Sequence, residues 1–293
     1  MTTRRKRKMS TSQLITSVVM LFLAFVTIYP FWYCLIYSFS DAQLAAQTNI
    51  VFWPAGFTLQ NYRSILKIGQ IYSASSISVF RTVAGVVYAV MITGLASYAL
   101  SQRRMPGNRA LSLFLIIPMY ISGGLLPTYV LMNKLRLFNN LLVYILPHGF
   151  WAFNMLIMRT YFDTIPAEMA ESARMDGASD WTIFFRIIFP LAMPVIAVIA
   201  MFTGVWQWNS WFDAQLYMTK PELLPLQNVL QAFLRRNQAD MVSLMQGEIR
   251  PQTVSPETIR MTILIVTVLP IMFVYPFFQK HFIRGVMIGA VKA

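Results

Sequence analysis

The chain has 293 residues, of which 57% are hydrophobic and 12% are charged, and its formal net charge is +13. Its mean hydropathy of +0.55 excludes an ordinary soluble domain. Its apolar runs are continuous, whereas the strands of a membrane β-barrel would alternate apolar and polar residues. The composition therefore predicts an all-α polytopic membrane protein.

Six apolar runs are long enough, or nearly so, to cross a bilayer as helices, which takes roughly 20 residues each. They lie at about 14–38, 72–101, 110–132, 140–160, 183–208 and 259–279. We therefore predict six transmembrane helices. The first is a separate segment at 14–38, and the other five belong to a core at 72–281 that is followed by a tail at 282–293.

A basic N-terminus at 1–13 precedes the first predicted helix, with RRKRK at 4–8. This position suits a cytoplasmic anchor to anionic lipid. No basic groove interleaved with aromatic residues follows, so we predict no binding of nucleic acid. A cleaved signal peptide would have an apolar region of about 7–15 residues and a small-residue cleavage site, so we predict that the longer helix is retained.

The loops can be assigned alternately to the two sides of the membrane, which places more than half of the 24 Lys and Arg residues on the side of the N-terminus. By the positive-inside rule, both termini are predicted to face the cytoplasm. The segments at 40–70 and 209–258 then lie outside. VFWPAGFTLQNY predicts a folded patch in the first, and the helical spacing of apolar residues in LPLQNVLQAFLRR predicts a surface helix in the second.

Arg81 lies inside the second predicted helix. An arginine at the bilayer centre costs at least about 2.5–3.5 kcal/mol, so its side chain should face a cavity or a partner. Three interpretations stay open: contact with an anionic group of a ligand, snorkelling to the external surface, or pairing with another membrane subunit.

The connection at 163–181 holds five of the 11 acidic residues of the chain. They are Asp163, Glu168, Glu171, Asp176 and Asp180. This segment is predicted to lie in the cytoplasm between the fourth and fifth helices. It is either a plain solvated loop or a surface on which another protein docks.

The local pattern of this segment predicts a short helix, a glycine turn and a second helix. Asp163 or Thr164 would cap the first helix, with Pro166 in its first turn. The helix would end near Met175, and Gly177 stands where a left-handed residue is wanted. Ser179 or Asp180 would cap the second helix. The alanines at 167, 170, 173 and 178 leave small surfaces that a docking protein could approach.

The run PAEMAESARMDGA, followed by IIFP, resembles the EAA loop of ABC importer permeases. The matching residues are Glu171, Ala173, Asp176, Gly177, Ala178, Ile187 and Pro190, whereas Ser172 and Phe189 replace an alanine and a leucine. The segments at 94–107, 122–147 and 275–293 resemble the carbohydrate-uptake branch of that family. Within it they are most similar to permeases for aldouronate-, lipopolysaccharide-biosynthesis- or alginate-type acidic oligosaccharides.

The resemblance implies a type I importer permease fold with a MetI-like core in a bacterial inner membrane. It implies that the loop docks on a cytoplasmic ATPase subunit. The residues expected to take part are Glu168, Glu171, Ser172, Ala173, Asp176, Gly177 and Ala178, with Gln279 and Lys280 as secondary contacts. The implied partners are a second homologous permease, two ATPase subunits and an external solute-binding protein. No G-x-x-x-x-G-K-[ST] occurs, so ATP and Mg would be bound by the ATPase subunits and this chain would be non-catalytic.

The run GVWQWNSWFD at 204–213 supplies candidate contacts for an oligosaccharide. Trp206, Trp208 and Trp211 can stack on sugar rings, and Gln207 and Asn209 can hydrogen-bond hydroxyl groups. The alternative is an interfacial aromatic belt, although the spacing of the three tryptophans prevents them from sharing one face. For an acidic sugar, Arg81 becomes a candidate contact for a uronate carboxylate.

Other classes of protein fit the sequence less well. A secondary transporter would bury acidic residues within its spans, and none lies inside a predicted helix. A membrane enzyme would need a motif such as H-E-x-x-H or G-x-S-x-G, and neither occurs. With a single cysteine and two distant histidines, we predict no metal site. An importer of a neutral oligosaccharide remains the alternative within the predicted family.

Overall fold

The computed structural model describes residues 11–102, 104–235 and 255–290, without the side chains of 277–290. The described part is helical, and its only strand-like pairing is an isolated bridge between Ser40 and Phe57. The predicted all-α class is therefore confirmed for these residues.

Fourteen helices follow one another along the described residues. They are α1 (Thr11–Ser38), α2 (Ala42–Gln47), α3 (Gln60–Leu66), α4 (Gly69–Ser101), α5 (Asn108–Ile116), α6 (Leu125–Lys134), α7 (Ala152–Phe162), α8 (Ala167–Met175), α9 (Asp180–Ile183), α10 (Phe189–Leu191), α11 (Met193–Asn209), α12 (Phe212–Tyr217), α13 (Leu226–Arg235) and α14 (Pro256–Ala290). Short 3-10 turns lie at Ile117–Met119, Leu141–Tyr144 and Pro221–Leu223.

Three of these helices are long and apolar enough to cross a membrane: α1, α4 and the Pro256–Pro276 part of α14. A fourth span results if Asp180–Leu191 and Met193–Asn209, which meet at an angle of 81°, cross together. Long helices are thus confirmed at the first, second and sixth predicted runs. The total of six spans, and the side on which each terminus lies, stay predictions.

The third and fourth apolar runs do not form one continuous helix each, contrary to expectation. In the third run, α5 ends at Ile116 and α6 begins only at Leu125. Pro118 in the intervening turn lacks an N–H, and Gly124 has a φ of +83°. The fourth run begins with a 3-10 turn and becomes α-helical only at Ala152.

The fifth run is bent because prolines interrupt its hydrogen bonding. A π-helical turn at Phe184–Ile188 leads into α10, and α11 starts after Ala192. Pro190 and Pro194 stand in the first turns of α10 and α11, where a missing N–H is tolerated. The predicted helix at 183–208 is therefore two helices joined at a sharp corner.

The described chain divides into two compact units, 1–68 with 233–266 and 69–232 with 267–293. In the first unit, the predicted folded patch after α1 is confirmed. The amide of Asn61 donates to the carbonyls of Ser38 and Ser40 at 2.9 Å, and the indole of Trp32 donates to the carbonyl of Phe52 at 3.3 Å. These bonds fold the segment back onto the end of α1.

In the second unit, α4 packs against α11 and α7. Met158, Ile183, Phe184 and Ile199 are fully buried or nearly so and form the centre of this core. The predicted surface helix is present as α13, whose Leu226, Val229 and Leu230 are buried at helical spacing. Two groups of predicted site residues lie beside this core. One is on α8 and in the turn that leads to α9, and the other is at the end of α11.

Candidate functional sites

The acidic segment forms the predicted helix α8, although its N-terminus is built differently from our expectation. Pro166 is the N-cap, with an extended ψ of 127°, and the helix begins at Ala167. Asp163 and Thr164 precede the cap, and the Thr164 hydroxyl donates to the carbonyl of Tyr161 at 2.7 Å. The predicted cap at 163 or 164 was therefore wrong, because the extended Pro166 delays the helix start.

The C-terminus of α8 is built as predicted, on a left-handed glycine. Gly177 has a φ of +80°. Its N–H donates to the carbonyl of Arg174 at 3.0 Å, and the N–H of Ala178 donates to the carbonyl of Ala173 at 2.9 Å. These two bonds define a Schellman motif. The chain then turns into α9, where the side chain of Ser179 accepts from the N–H of Thr182, so Ser179 is the cap.

The outer face of α8 is acidic and exposed. Glu168, Glu171, Ser172 and Asp176 are all exposed there. The alanines lie differently from our expectation, because Ala170 is buried and Ala173 and Ala178 pack against the core. Their small side chains therefore let α8 lie close to its own core, and the carboxylates, together with exposed Met169 and Met175, form the surface that a partner can reach.

Arg174 ties the inner side of this segment to the end of α4. Its Nη2 donates to Asp180 Oδ1 at 3.1 Å and to Gln102 Oε1 at 2.8 Å. The ion pair with Asp180 is partly exposed and contributes little free energy by itself. The bond from Arg174 to Gln102 and the burial of Ala170 nevertheless hold α8 against the end of α4.

The second group of site residues surrounds Arg81, whose side chain is fully buried in α4. Its Nε and Nη2 donate to Gln207 Oε1, each at 3.1 Å. Its Nη1 donates to the carbonyl of Ser210 at 3.0 Å and to Asp213 Oδ1 at 3.3 Å. A second bond from Nη2 reaches Asp213 Oδ2 at 2.6 Å. All five N–H donors of the guanidinium are therefore satisfied within the chain.

None of the three interpretations of Arg81 anticipated this pairing with the same chain. The partner, Asp213, lies in the first turn of α12, just beyond the end of the fifth apolar run. Asp213 lies outside every predicted helix, where an acidic residue was not expected to matter. A buried arginine needs a counter-charge, so the acidic residue nearest to the end of a predicted span was the signal in the sequence that could have found it. A direct contact between Arg81 and a ligand stays a prediction, and it requires displacement of Asp213.

Aromatic and amide groups complete the Arg81 cluster. The guanidinium carbon lies 4.4 Å from the centroid of the Tyr144 ring, and Gln207 Nε2 donates to the Tyr144 carbonyl at 2.9 Å. Gly85 has no side chain where Gln207 packs, and a Cβ there would lie 2.5 Å from Gln207 Nε2. In α12, burial raises the pKa of the Tyr217 hydroxyl, and the Asp213 carboxylate raises it further.

The remaining candidates for sugar contact point in different directions. Trp206 packs on His148 and Trp151, with ring centroids 4.3 and 5.7 Å away. Trp208 is buried, and its indole donates to the Thr267 carbonyl at 3.0 Å. Asn209 is exposed and accepts a bond from Gln227.

Trp211 is half-buried, and its ring lies 5.8 Å from that of Phe212. In this conformation Trp206, Asn209 and Trp211 therefore keep exposed surface, whereas Gln207 and Trp208 are engaged inside the protein.

The side chains of Gln279 and Lys280 lie outside the described residues. Their contact with an ATPase subunit stays a prediction. Among the side chains that are described, no three His, Cys, Asp or Glu residues come together as the ligands of a metal ion would.

The chain is similar to known transport proteins along nearly its whole length. It is 34% identical over 276 residues to the polygalacturonan/rhamnogalacturonan transport system permease protein YtcP of Bacillus subtilis (strain 168), covering 93% of this chain and 95% of that protein. It is 35% identical over 268 residues to protein LplC of the same organism, covering 91% and 90%.

A solved structure has the same fold. The crystal structure of a bacterial ABC transporter involved in the import of the acidic polysaccharide alginate contains a chain with a TM-score of 0.87 and 27% identity. The match covers 94% of this chain and 100% of that chain. Both the predicted resemblance and the permease fold are thereby confirmed.

The family model described as binding-protein-dependent transport system inner membrane component matches residues 5–288. The chain therefore belongs to this family of inner membrane components of transport systems.

Proposed function

We propose that this chain is one of two permease subunits of an ATP-driven, binding-protein-dependent importer of oligosaccharides, and that its substrates are acidic. The observation that carries the transport role is the exposed acidic face of α8, held by a Schellman turn and anchored to α4. The names of the similar proteins support the substrate class. One transports polygalacturonan and rhamnogalacturonan, and another imports alginate.

In this proposal α8 seats in a cleft of a cytoplasmic ATPase subunit. Glu168, Glu171 and Asp176 offer carboxylates to basic groups of that cleft, and Gly177 permits the sharp exit of the chain. ATP and Mg are bound by the two ATPase subunits. When those subunits close, the movement of α8 is passed through Arg174 and Gln102 to α4, which forms part of the core.

The translocation pathway is shared with a second, homologous permease, and an external solute-binding protein delivers the sugar. Trp206, Asn209 and Trp211 keep exposed surface at the end of α11 and are the proposed contacts with sugar rings and hydroxyls. Gln207 and Trp208 act through the shape of the pathway, because both are buried in this conformation. Arg81 contacts a uronate only in a state in which Asp213 has released it.

A second candidate function, import of a neutral oligosaccharide, is favoured by one observation. Arg81 is fully buried and all its donors are satisfied, so the cation expected to attract a carboxylate is neutralised by Asp213. The two functions differ only in cargo, and one assay separates them.

The test is ATP hydrolysis by the complete transporter in proteoliposomes, with the second permease, the ATPase subunits and the binding protein. Oligogalacturonate should stimulate hydrolysis, and a neutral oligosaccharide of equal length should not. Stimulation by the neutral sugar alone would overturn the acidic cargo and leave the importer standing.

The transport role is tested in the same vesicles with Glu171→Gln. This variant should lower substrate-stimulated hydrolysis, because it removes a carboxylate from the exposed face of α8. The matched control is Glu222→Gln, which removes an exposed carboxylate from the 3-10 turn at Pro221–Leu223. Equal activity of both variants would contradict docking through α8.

A further inference from the structure

A cavity of about 550 Å³ lies beside the acidic segment. The end of α4, the turn that follows it and the α8–α9 region form its walls. Its lining combines apolar residues, among them Leu95 and Met105, with the polar side chains of Gln102, Arg104 and Arg174. A lining that holds both apolar groups and two arginines is suited to an amphipathic anion.

A buried hydroxyl in this cavity is unsatisfied. Tyr98 lines the cavity and is only 8% exposed, and the Arg174 guanidinium lies near its Oη, but no bond between the two or to another described residue meets hydrogen-bond geometry. Buried polar groups normally find a partner, and an orphaned one indicates a missing bond. A ligand with an acceptor oxygen would satisfy the Tyr98 hydroxyl.

The charges around the cavity favour an anion. Arg104 and Arg174 carry two positive charges, and Asp180 carries one negative charge. Arg174 donates from its Nη2 to Asp180 and Gln102 and lies near the Tyr98 hydroxyl. Arg104 is exposed at the rim. Guanidinium groups bind phosphate oxygens in a forked geometry, so two of them around one cavity suit a phosphate group.

We propose that this cavity binds the phosphate headgroup of an anionic membrane lipid. Arg104 and Arg174 hold the phosphate oxygens, the Tyr98 hydroxyl donates to one of them, and the first part of an acyl chain lies along Leu95 and Met105. A lipid is favoured over a free phosphate because much of the lining is apolar and Trp181, which also lines the cavity, is 63% exposed, as in an interfacial anchor. The anionic cytoplasmic leaflet supplies such headgroups.

The proposed lipid would act on the acidic segment, because Arg174 belongs to both. A headgroup bound to Arg174 would stabilise the link from α8 to Gln102, which follows the last residue of α4. The stability of the contact between Arg174 and Gln102 would therefore depend on the lipid that surrounds the protein. This inference rests on the proposed function only in placing the cavity on the cytoplasmic side.

The experiment measures binding of phosphatidylglycerol to the complete transporter in neutral detergent micelles, from the thermal unfolding midpoint at increasing lipid. Phosphatidylcholine and inorganic phosphate serve as separate probes. Phosphatidylglycerol should raise the midpoint, and the other two should not. Arg104→Gln should weaken the apparent affinity about tenfold, which is the loss expected for one charge-assisted hydrogen bond. The matched control is Arg109→Gln, an exposed arginine of α5 outside the cavity walls.

Tyr98→Phe gives a second, independent readout. Without lipid, it should unfold at the same or a higher temperature than the parent chain, because it removes a hydroxyl that has no partner. With phosphatidylglycerol, its affinity should fall. If Tyr98 had only a structural role, the variant would not combine an unchanged or raised unfolding temperature with a lower affinity for phosphatidylglycerol.

Four outcomes would overturn the proposal. Unchanged affinity of Arg104→Gln would show that the lipid binds elsewhere, and equal effects of phosphatidylcholine would show that no anion is needed. Equal effects of inorganic phosphate would assign the cavity to a free anion. Binding of phosphatidylglycerol only after removal of the ATPase subunits would show that an ATPase covers the cavity. None of these results depends on sugar transport, so failure of this inference and failure of the proposed function are distinguishable.

Discussion

Removal of one member of the Arg81–Asp213 pair should destabilise the protein strongly. Asp213→Asn keeps the size of the side chain and removes its charge. Arg81 then remains fully buried with an uncompensated positive charge, and its 2.6 Å bond to Oδ2 is weakened or lost. Loss of one partner from a buried ion pair costs roughly 3–5 kcal/mol. We expect a decrease of this size in the free energy of unfolding.

The double variant Arg81→Met/Asp213→Asn should recover part of this loss. Methionine is unbranched and uncharged, although shorter than arginine, so no isolated charge is left in the core. Replacement of both members of a buried pair is often nearly neutral, whereas removal of one is not. The cost of the double variant should therefore be smaller than the sum of the two single costs.

The assay is unfolding by sodium dodecyl sulfate in mixed micelles, followed by tryptophan fluorescence. The matched control is a more exposed ion pair, Arg174–Asp180, whose side chains are 31% and 72% exposed. Asp180→Asn should cost only about 0–1 kcal/mol, as exposed pairs do. A cost of Asp213→Asn within the range of this control, or strict additivity in the double variant, would refute the reasoning.

Three further predictions concern two glycines and the cargo. Gly177→Ala should lower the free energy of unfolding by roughly 1–2 kcal/mol, because the φ of +80° is strained for alanine although no atom lies near the added Cβ. Gly177→Pro cannot adopt this φ, so it should stay in the membrane but hydrolyse ATP without transport. Normal uptake by this variant would contradict the prediction. Gly85→Ala should lower the free energy of unfolding by roughly 1–3 kcal/mol by overpacking, because the new Cβ would lie 2.5 Å from Gln207 Nε2. The control is Gly94→Ala, whose added Cβ would have its nearest atom 3.4 Å away. Equal unfolding midpoints of the two variants would show that the Gln207 side chain moves aside at no cost. If Arg81 contacts a uronate, Arg81→Gln should abolish uptake of oligogalacturonate and leave uptake of a neutral oligosaccharide unchanged. Loss of both activities would show that Arg81 acts only through its ion pair with Asp213.

Local sequence rules predicted some features of the acidic segment at 163–181 correctly and others wrongly. Gly177 follows a helix-forming stretch, and the left-handed residue of a Schellman motif is set by neighbours within six positions of the chain. The cap at Ser179 follows for the same reason. The alanine at 170 was misjudged, because the core that buries it is built by residues such as Met158 and Phe184. The face that a short helix buries depends on those distant residues.

Apolar length alone predicted α1, α4 and α14, because roughly 20 apolar residues in succession have few alternatives to a spanning helix. It did not predict the breaks in the third and fourth runs. Proline and glycine are tolerated in membrane helices where neighbouring groups satisfy the freed backbone, so their presence in a run leaves its continuity open. Pro118 and Gly124 ended the helix, whereas Pro30 lies inside an unbroken α1.

The sequence by itself determined that this is a helical membrane protein, because continuous apolar runs are a local property of the chain, and the resemblance of its acidic motif indicated the permease family. Only the tertiary structure decided what Arg81 does. Its partner lies 132 residues away, and no local pattern connects the two. The packing of α4 against α11 brings Gln207, Ser210 and Asp213 around the guanidinium. A buried charge is stabilised by the groups that the fold places around it, and these are known only once the helices have packed.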